Sequence, residues 1–223
     1  MAENVTVTRS QFRGELADLH TTLVEFAAFV SGMLARAVQA LGDQDSALAD
    51  EVRRSDDVAD DYNRRVEDLG LRLLSLQHPM AGDLRAVVGA IRIATDLERV
   101  GDYANDIAKI AKRLANAPLH WELQDISRMA GMAQEMLRLA VQCVVEKDKE
   151  LAHRVARMDR DIDALWRRVR AQCMDHARED PERVTQAVWL LLVARYLERV
   201  GDHVVNVAER VNFIETGRLE KLK

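Results

Sequence analysis

The sequence has little of what turns and strands require. Glycine and proline number only ten and three among 223 residues, and aromatic residues make up 4%. Glycine and proline are the residues that punctuate turns, and aromatic side chains favour strands, so an architecture of many short strands is disfavoured. Charged residues make up 31%, and Ala, Leu, Val, Arg, Asp and Glu are abundant. This composition is typical of long helices.

Cysteine and long apolar runs are also scarce. The two cysteines, Cys143 and Cys173, fall inside helical patterns without metal-ligand spacing, which predicts buried, reduced thiols in a cytosolic protein. The first eleven residues have no apolar core, so we do not expect them to be a signal peptide. The longest uncharged run, 184–194, is far shorter than the roughly 20 residues that span a bilayer. We therefore expect a soluble protein that reaches membranes only through a partner.

An excess of positive charge is missing as well. The formal net charge is −5, which gives no general attraction to nucleic acid or to anionic lipid. Nothing resembles a glycine-rich phosphate loop, a nucleophile with a partnered base, or a dinucleotide fingerprint. Glu-x-x-His pairs, which a di-iron oxygenase bundle would need, are also absent. The sequence therefore predicts a protein that is not an enzyme.

The sequence repeats itself. Residues 97–102, Leu-Glu-Arg-Val-Gly-Asp, return unchanged as residues 197–202, and with an offset of 100 the flanking residues 84–113 and 184–213 also match. With an offset of 103, the earlier part of the chain pairs too, as in Met33-Leu34 with Met136-Leu137. This is an internal duplication of about a hundred residues.

Apolar residues recur at steps of three and four throughout, which predicts six long amphipathic helices. Pro79 and Pro118 mark breaks between them, Asp45 is a candidate N-cap, and Ser55 interrupts the second apolar stripe. The predicted helices span residues 10–41, 46–77, 80–116, 119–146, 149–176 and 181–216. We therefore predict an all-α fold of two tandem antiparallel three-helix bundles related by a pseudo-twofold, with repeats at 1–116 and 117–223.

Pairs of acidic residues recur at matching positions of the two repeats. Glu98 and Asp102 stand one turn apart on one face of their helix, although like charges so placed repel. Each repeat carries one such pair on its second helix and one on its third: Asp56 and Asp60 with Glu98 and Asp102, and Asp159 and Asp163 with Glu198 and Asp202. Four converging carboxylates form an oxygen-rich site for hard cations or bridged metal ions. The alternative interpretation is that these acids simply lie on solvent-exposed helix faces and bind nothing.

Several residues in or beside the motif have more than one interpretation. Arg99 and Arg199 either hold an anion or form ion pairs with nearby acids, and the ion pair is favoured. His203 is a further ligand or a mere neighbour, since its counterpart is Tyr103. Asp106 extends the first ladder of acids, whereas its counterpart is Asn206. Mid-helix glycine is unfavourable, so Gly101 and Gly201 predict that something approaches the backbone closely.

The sequence resembles the PhoU family of bacterial phosphate-transport accessory proteins. The resemblance is carried by the repeated Leu-Glu-Arg-Val-Gly-Asp, by residues 103–108 and 203–208 that follow it, and by the aspartate pairs on the second and fifth helices. The resemblance covers nearly the whole chain. It implies multinuclear iron or zinc clusters on the bundle surface, with Mg, Mn or Ca as other candidates, held by the eight acids named above. Tyr103 and Asn206 depart from their counterparts, which makes the two sites unequal.

The resemblance further implies a regulator that keeps phosphate-starvation genes off when phosphate is plentiful. Its expected partners are the ATPase subunit of the high-affinity phosphate transporter, a membrane sensor histidine kinase and a second copy of the chain. We expect it in the cytoplasm, at the inner face of the membrane. The alternatives are a metal-dependent hydrolase or metal store using the same carboxylates, and a purely structural bundle.

Overall fold

The structure is a computed structural model that describes residues 2–116, 118–119, 121–146, 148–218 and 220–222, with side chains from residue 11 onward except that of residue 149. Within these ranges the chain is helical and contains no strand, as predicted. The helices are α1 (Ala2–Gly42), α2 (Ser46–Arg54), α3 (Asp56–Gln77), α4 (Gly82–Leu114), α5 (Gln124–Glu146), α6 (Lys149–Glu179) and α7 (Val184–Thr216), with a 3₁₀ turn at Pro181–Arg183 before α7.

Local sequence signals explain some of the helix ends. The carboxylate of Asp45 accepts from the amides of Ala47 and Leu48, which confirms it as the N-cap of α2. The amide of Gly217, in the left-handed conformation, donates to the carbonyl of Phe213 and ends α7.

Four predicted helix boundaries are wrong. Helix α1 begins at Ala2 and not at Ser10, because no glycine or proline before Ser10 stops the helix. The predicted second helix is two helices, because the chain breaks at Ser55, whose side chain donates to its own preceding turn at the carbonyl of Glu51. Helix α5 begins at Gln124, five residues after the predicted start, and α6 continues to Glu179.

Helices α4 and α7 pack against each other antiparallel and form the centre of the molecule. Arg85, at the start of α4, donates from Nε to the carbonyl of Ile214, at the end of α7, over 3.2 Å. At the other end, the guanidinium of Arg113 lies 4.7 Å from the ring centroid of Trp189. Helix α3 flanks α4 and α1, while α6 flanks α7 and α5. The arrangement is the predicted pair of three-helix bundles.

The pseudo-twofold axis passes close to the repeated motif. Arg85 precedes Val100 by about as many residues as Ile214 follows Val200. The contact of Arg85 with Ile214 is matched at the other end of the helix pair by that of Arg113 with Trp189. The two copies of the motif therefore lie on either side of the same axis. The predicted division at residues 116 and 117 stays a prediction, and residue 117 lies outside the described residues.

A single apolar core runs through both repeats. The apolar residues that recur at steps of three and four are buried along the whole of α4. On α7 they are buried from Leu190 to Val211, and Ile214 is half-buried. Cys143 and Cys173 are buried and free of disulfides, as predicted, and burial raises the pKa of each thiol to about 11. One helical segment, Gln11–Gly42, is long and apolar enough to cross a membrane by length and composition alone, a test that core helices also pass. Its apolar side is buried in the core.

Candidate functional site

The four predicted acids of the first repeat lie near one another where α3 packs against α4, a place here called the first groove. Asp56 opens α3 directly after the break at Ser55, and Asp60 follows one turn later on the exposed side. Glu98 and Asp102 lie at the middle of α4 and are half-buried. The break between α2 and α3 therefore places one pair of acids opposite the other.

The charges in the first groove act on one another. Burial raises the pKa of Glu98, and the charges of Asp102, Asp60 and Asp56 raise it further, while Arg99 opposes them. Burial and the charge of Asp102 likewise raise the pKa of Asp56. Because each acid disfavours the ionised form of its neighbours, the groove as a whole attracts positive charge.

Arginine supplies part of that charge. Nε of Arg99 lies 3.3 Å from Oε2 of Glu98, and its Nη1 lies 2.8 Å from Oδ2 of Asp102. In the second repeat, Arg199 lies 4.0 Å from Glu198 and 3.3 Å from Asp202. The favoured prediction for both arginines, an ion pair with nearby acids, is therefore confirmed.

The glycines of the motif allow close helix packing, as predicted. A Cβ at Gly101 would lie 3.3 Å from Cβ of Ala59 and 3.5 Å from Cγ1 of Val30. A Cβ at Gly201 would lie only 2.7 Å from Oδ1 of Asp159. Glycine therefore lets α3 and α6 approach the central helices closely.

The second groove, between α6 and α7, has the same acids in a different arrangement. Asp159 is fully buried against Gly201, whereas its counterpart Asp56 is only half-buried. Burial raises the pKa of Glu198, to which the charges of Asp202 and Asp163 add. The side chain of Arg195 donates to Glu198 and opposes that shift. The two grooves are unequal because one of the four acids is withdrawn into the helix interface.

The donor set suits a hard cation, although its present conformation is not that of a metal site. Carboxylates that raise one another's pKa are the ligands that such a cation neutralises. Within the described part of the chain, no three His, Cys, Asp or Glu side chains are grouped as a metal ion requires. The acids of α4 and α7 form ion pairs with Arg99 and Arg199 instead. The predicted ligand sets therefore stay predictions.

The remaining candidates lie at the pseudo-twofold axis. Nδ1 of His203 lies 2.9 Å from Oδ1 of Asp96, and Nδ2 of Asn206 donates to the same oxygen over 3.1 Å. Across the axis the equivalent pair is Tyr196 and Tyr103, whose rings stack with centroids 5.7 Å apart. His203 therefore contacts an acid of α4 that lies outside the repeated motif.

Asp106 lies on the same face of α4 and forms an ion pair with Lys109 at 2.8 Å. Its charge also contributes, after burial, to raising the pKa of Tyr196. Asp106 therefore belongs with the residues at the axis, while Asp56, Asp60, Glu98 and Asp102 form the groove beside it.

Three residues of the site were missed by sequence reasoning. Nδ2 of Asn105 donates to Asp56 over 2.5 Å, Arg195 donates to Glu198, and Asp96 holds His203. Asn105 and Arg195 were detectable, since each lies one or two turns from a motif acid along the helix face. Asp96 required the antiparallel pairing of α4 with α7.

The chain matches the family model of the PhoU domain twice, at residues 23–111 and 126–211. A PhoU homologue of Clostridium acetobutylicum, named as a phosphate-specific transport system accessory protein, is 33% identical over 95% of this chain and 97% of its own length. A homologue of the same name from Deinococcus radiodurans is 34% identical over 92% of this chain and 97% of its own length.

Solved structures give the same result. The crystal structure of PhoU from Pseudomonas aeruginosa matches with a TM-score of 0.89 and 30% identity, covering 93% of this chain and all of that one. The phosphate transport system regulatory protein PhoU from Streptococcus pneumoniae matches with a TM-score of 0.87 and 26% identity, over 94% and 99% of the two chains. With two PhoU domains, a full-length match to curated relatives and the same helical architecture, this chain belongs to the PhoU family.

Proposed function

We propose that this protein is a non-catalytic accessory protein of a phosphate-specific transport system. The observation that carries the proposal is the full-length match to accessory proteins of that name, with both PhoU domains present. The site is consistent with binding to a partner protein and not with catalysis. Glu98, Asp102, Glu198 and Asp202 are paired with arginines. Nothing in the described part of the grooves has the geometry of an activated nucleophile.

The finer role that we propose is regulation of phosphate-starvation signalling. The protein conveys the state of the high-affinity transporter to a membrane histidine kinase and keeps starvation genes off when phosphate is plentiful. Its partners are then the transporter's ATPase subunit and the kinase, and it acts in the cytoplasm at the inner face of the membrane. Long exposed helix faces, such as that of α3, suit contacts with helices or grooves of such partners.

We further propose that the first groove holds metal. Asp56, Asp60, Glu98 and Asp102 would hold iron or zinc, with Mg, Mn or Ca as alternatives, and the bound ions would present a charged surface to a partner. The mutual repulsion of these acids supports this assignment. The second groove would bind metal less well, because Asp159 is buried against Gly201.

A reporter assay tests the regulatory role. The chain is expressed in Pseudomonas aeruginosa lacking its own PhoU, together with a phosphate-starvation reporter, in phosphate-rich medium. Repression of the reporter is the expected result. A folded, expressed protein that leaves the reporter fully active would contradict the proposal.

Metal analysis tests the groove. Protein purified without chelators is compared with the variants Glu98→Gln/Asp102→Asn and Glu198→Gln/Asp202→Asn. The first variant should lose most of the bound metal and the second less, while Asp106→Asn, outside the groove, should retain it. Equal metal in all four proteins would refute the assignment. A hydrolytic rate on phosphate esters that Asp102→Asn abolishes would instead establish the hydrolase alternative.

A further inference from the structure

A polar pocket of about 370 Å³ lies at the end of the second bundle, well away from both grooves. It is open to solvent and is bordered by the start of α6, the last turns of α7 and two residues after α7. Five residues line it: His153, Asn212, Thr216, Arg218 and Glu220. Neither groove shares a residue with it, and nothing in the proposed function uses it.

The equivalent place in the first repeat is closed by an ion pair. Nζ of Lys112 donates to both carboxylate oxygens of Asp50, over 2.8 and 2.6 Å, and so links α4 to α2. The offsets of 103 and 100 that align the repeats map Asp50 onto His153 and Lys112 onto Asn212. The second repeat has therefore replaced a closing ion pair by an imidazole and an amide, and a pocket lies between the same elements.

The amide of Asn212 is buried and incompletely satisfied. The residue is only 5% exposed, and among the described residues no acceptor lies within hydrogen-bond distance of its Nδ2. Buried amide groups in proteins nearly always have a partner, because leaving one without an acceptor is destabilising. A ligand oxygen in the pocket would provide the acceptor once the amide is oriented toward it.

The chain after α7 adds a cation to the pocket. Gly217 turns the chain at a φ of 71°, and the amide of Arg218 then donates to Oγ1 of Thr216 over 3.1 Å. Further on, the amide of Leu222 donates to Oε1 of Glu209, which holds the chain against α7. Within the described residues, no carboxylate lies within ion-pair distance of the Arg218 guanidinium. Arg218 is exposed and lines the pocket.

We propose that this pocket binds a small oxyanion, such as inorganic phosphate or the phosphoryl group of a small metabolite. Arg218 supplies the positive charge and a planar set of donors that matches such oxygens. Asn212 and His153 supply further hydrogen bonds from the helices, and Glu220, at the rim, offers an acceptor to a hydroxyl group of the ligand. The inference rests on the pocket alone and would survive failure of the proposed function.

Calorimetric titration of the full chain tests the inference, with inorganic phosphate and glycerol 3-phosphate as separate ligands. The informative variant is His153→Asp/Asn212→Lys, which introduces the ion pair of the first repeat and so closes the pocket in a folded protein. It should weaken binding at least about tenfold, as should Arg218→Ala. The matched control is Lys221→Ala, which removes a positive charge from the same tail outside the pocket and should bind like the wild type.

The two ligands separate the two sources of the oxyanion. Binding of inorganic phosphate would identify the free ion, and binding of the ester alone would identify a phosphorylated metabolite. Each titration is repeated with EDTA, because metal in the grooves also attracts phosphate. If neither ligand bound, the inference would be overturned. Binding that EDTA abolishes and that His153→Asp/Asn212→Lys leaves unchanged would overturn it as well.

Discussion

Gly101 and Gly201 occupy the same position of the repeated motif but face different neighbours. A Cβ at Gly101 would meet a methyl group of Ala59 at 3.3 Å, which is tight but close to ordinary contact. A Cβ at Gly201 would meet the buried carboxylate of Asp159 at 2.7 Å, which requires that carboxylate or α6 to move. The same substitution should therefore have different effects in the two repeats.

We expect Gly201→Ala to lower the free energy of unfolding by about 1–3 kcal/mol, the usual effect of overpacking an interior. Gly101→Ala should change it little, because the gain of about 1 kcal/mol in helix propensity offsets the tighter contact. Urea unfolding followed by circular dichroism measures both. Equal effects of the two substitutions would show that the position of Asp159 does not distinguish the repeats.

The raised pKa of Glu98 predicts how stability depends on pH. Just above the ordinary pKa of the side chain, the folded protein holds a proton that the unfolded chain has lost, so stability falls as pH rises through this window. In protein treated with EDTA, Glu98→Gln should therefore raise the free energy of unfolding at pH 7, by no more than about 1 kcal/mol. It should also flatten the decline above pH 4.5.

Glu135 is a control whose pKa is shifted in the opposite direction to that of Glu98. The hydrogen bonds from Arg138 hold the pKa of Glu135 below its ordinary value, so its charged form is favoured in the folded state. Stability from this pair is present at neutral pH and is lost as pH falls. Glu135→Gln should therefore slightly lower stability at pH 7. Thermal unfolding of both variants between pH 4 and 8 checks the two signs, and a decrease for Glu98→Gln would contradict the assigned repulsion.

At the scale of the helices, capping explains why the chain turns where it does after α1. The carboxylate of Asp45 accepts from the amides of Ala47 and Leu48 at 2.9 and 3.0 Å and so begins α2. Asp45→Ala should lower the free energy of unfolding by about 1 kcal/mol. Asp43→Ala, which removes only a contact with the exposed Gln39, should have a smaller effect in the same urea titration. Equal losses would exclude capping as the cause.

The sequence predicted the helices well because their apolar spacing is strict and turn residues are few. It failed where a local competitor acts, as at Ser55, whose hydroxyl bonds to the preceding turn. The composition of the grooves was also predictable, since acids four residues apart share a helix face. The burial of Asp159 was not, because it depends on how closely α6 approaches Gly201.

At the scale of the molecule, the continuous core predicts that both repeats unfold together. All three tryptophans, Trp121, Trp166 and Trp189, lie in the second repeat, although Trp189 also contacts Arg113 of the first. Their fluorescence therefore reports mainly the second repeat, whereas circular dichroism reports both. Phe26 is fully buried in the first repeat, where it stacks on Tyr62 with centroids 5.4 Å apart.

Phe26→Ala should cost about 3–5 kcal/mol. It should shift the tryptophan fluorescence transition in urea as far as it shifts circular dichroism, because the repeats share the interface of α4 with α7. The wild-type transitions should coincide as well. A fluorescence transition that stays in place while the circular dichroism splits into two steps would show that the repeats unfold independently.

The contacts at the pseudo-twofold axis bear on how such a chain can evolve. In a dimer of identical half-length subunits, every contact across the axis occurs twice, and a substitution that improves one side alters the other. Joining the halves removes that constraint. Asp96 meets His203 on one side while Tyr196 meets Tyr103 on the other. After fusion, one half can therefore retain an existing interaction while substitutions in the other half produce a different one.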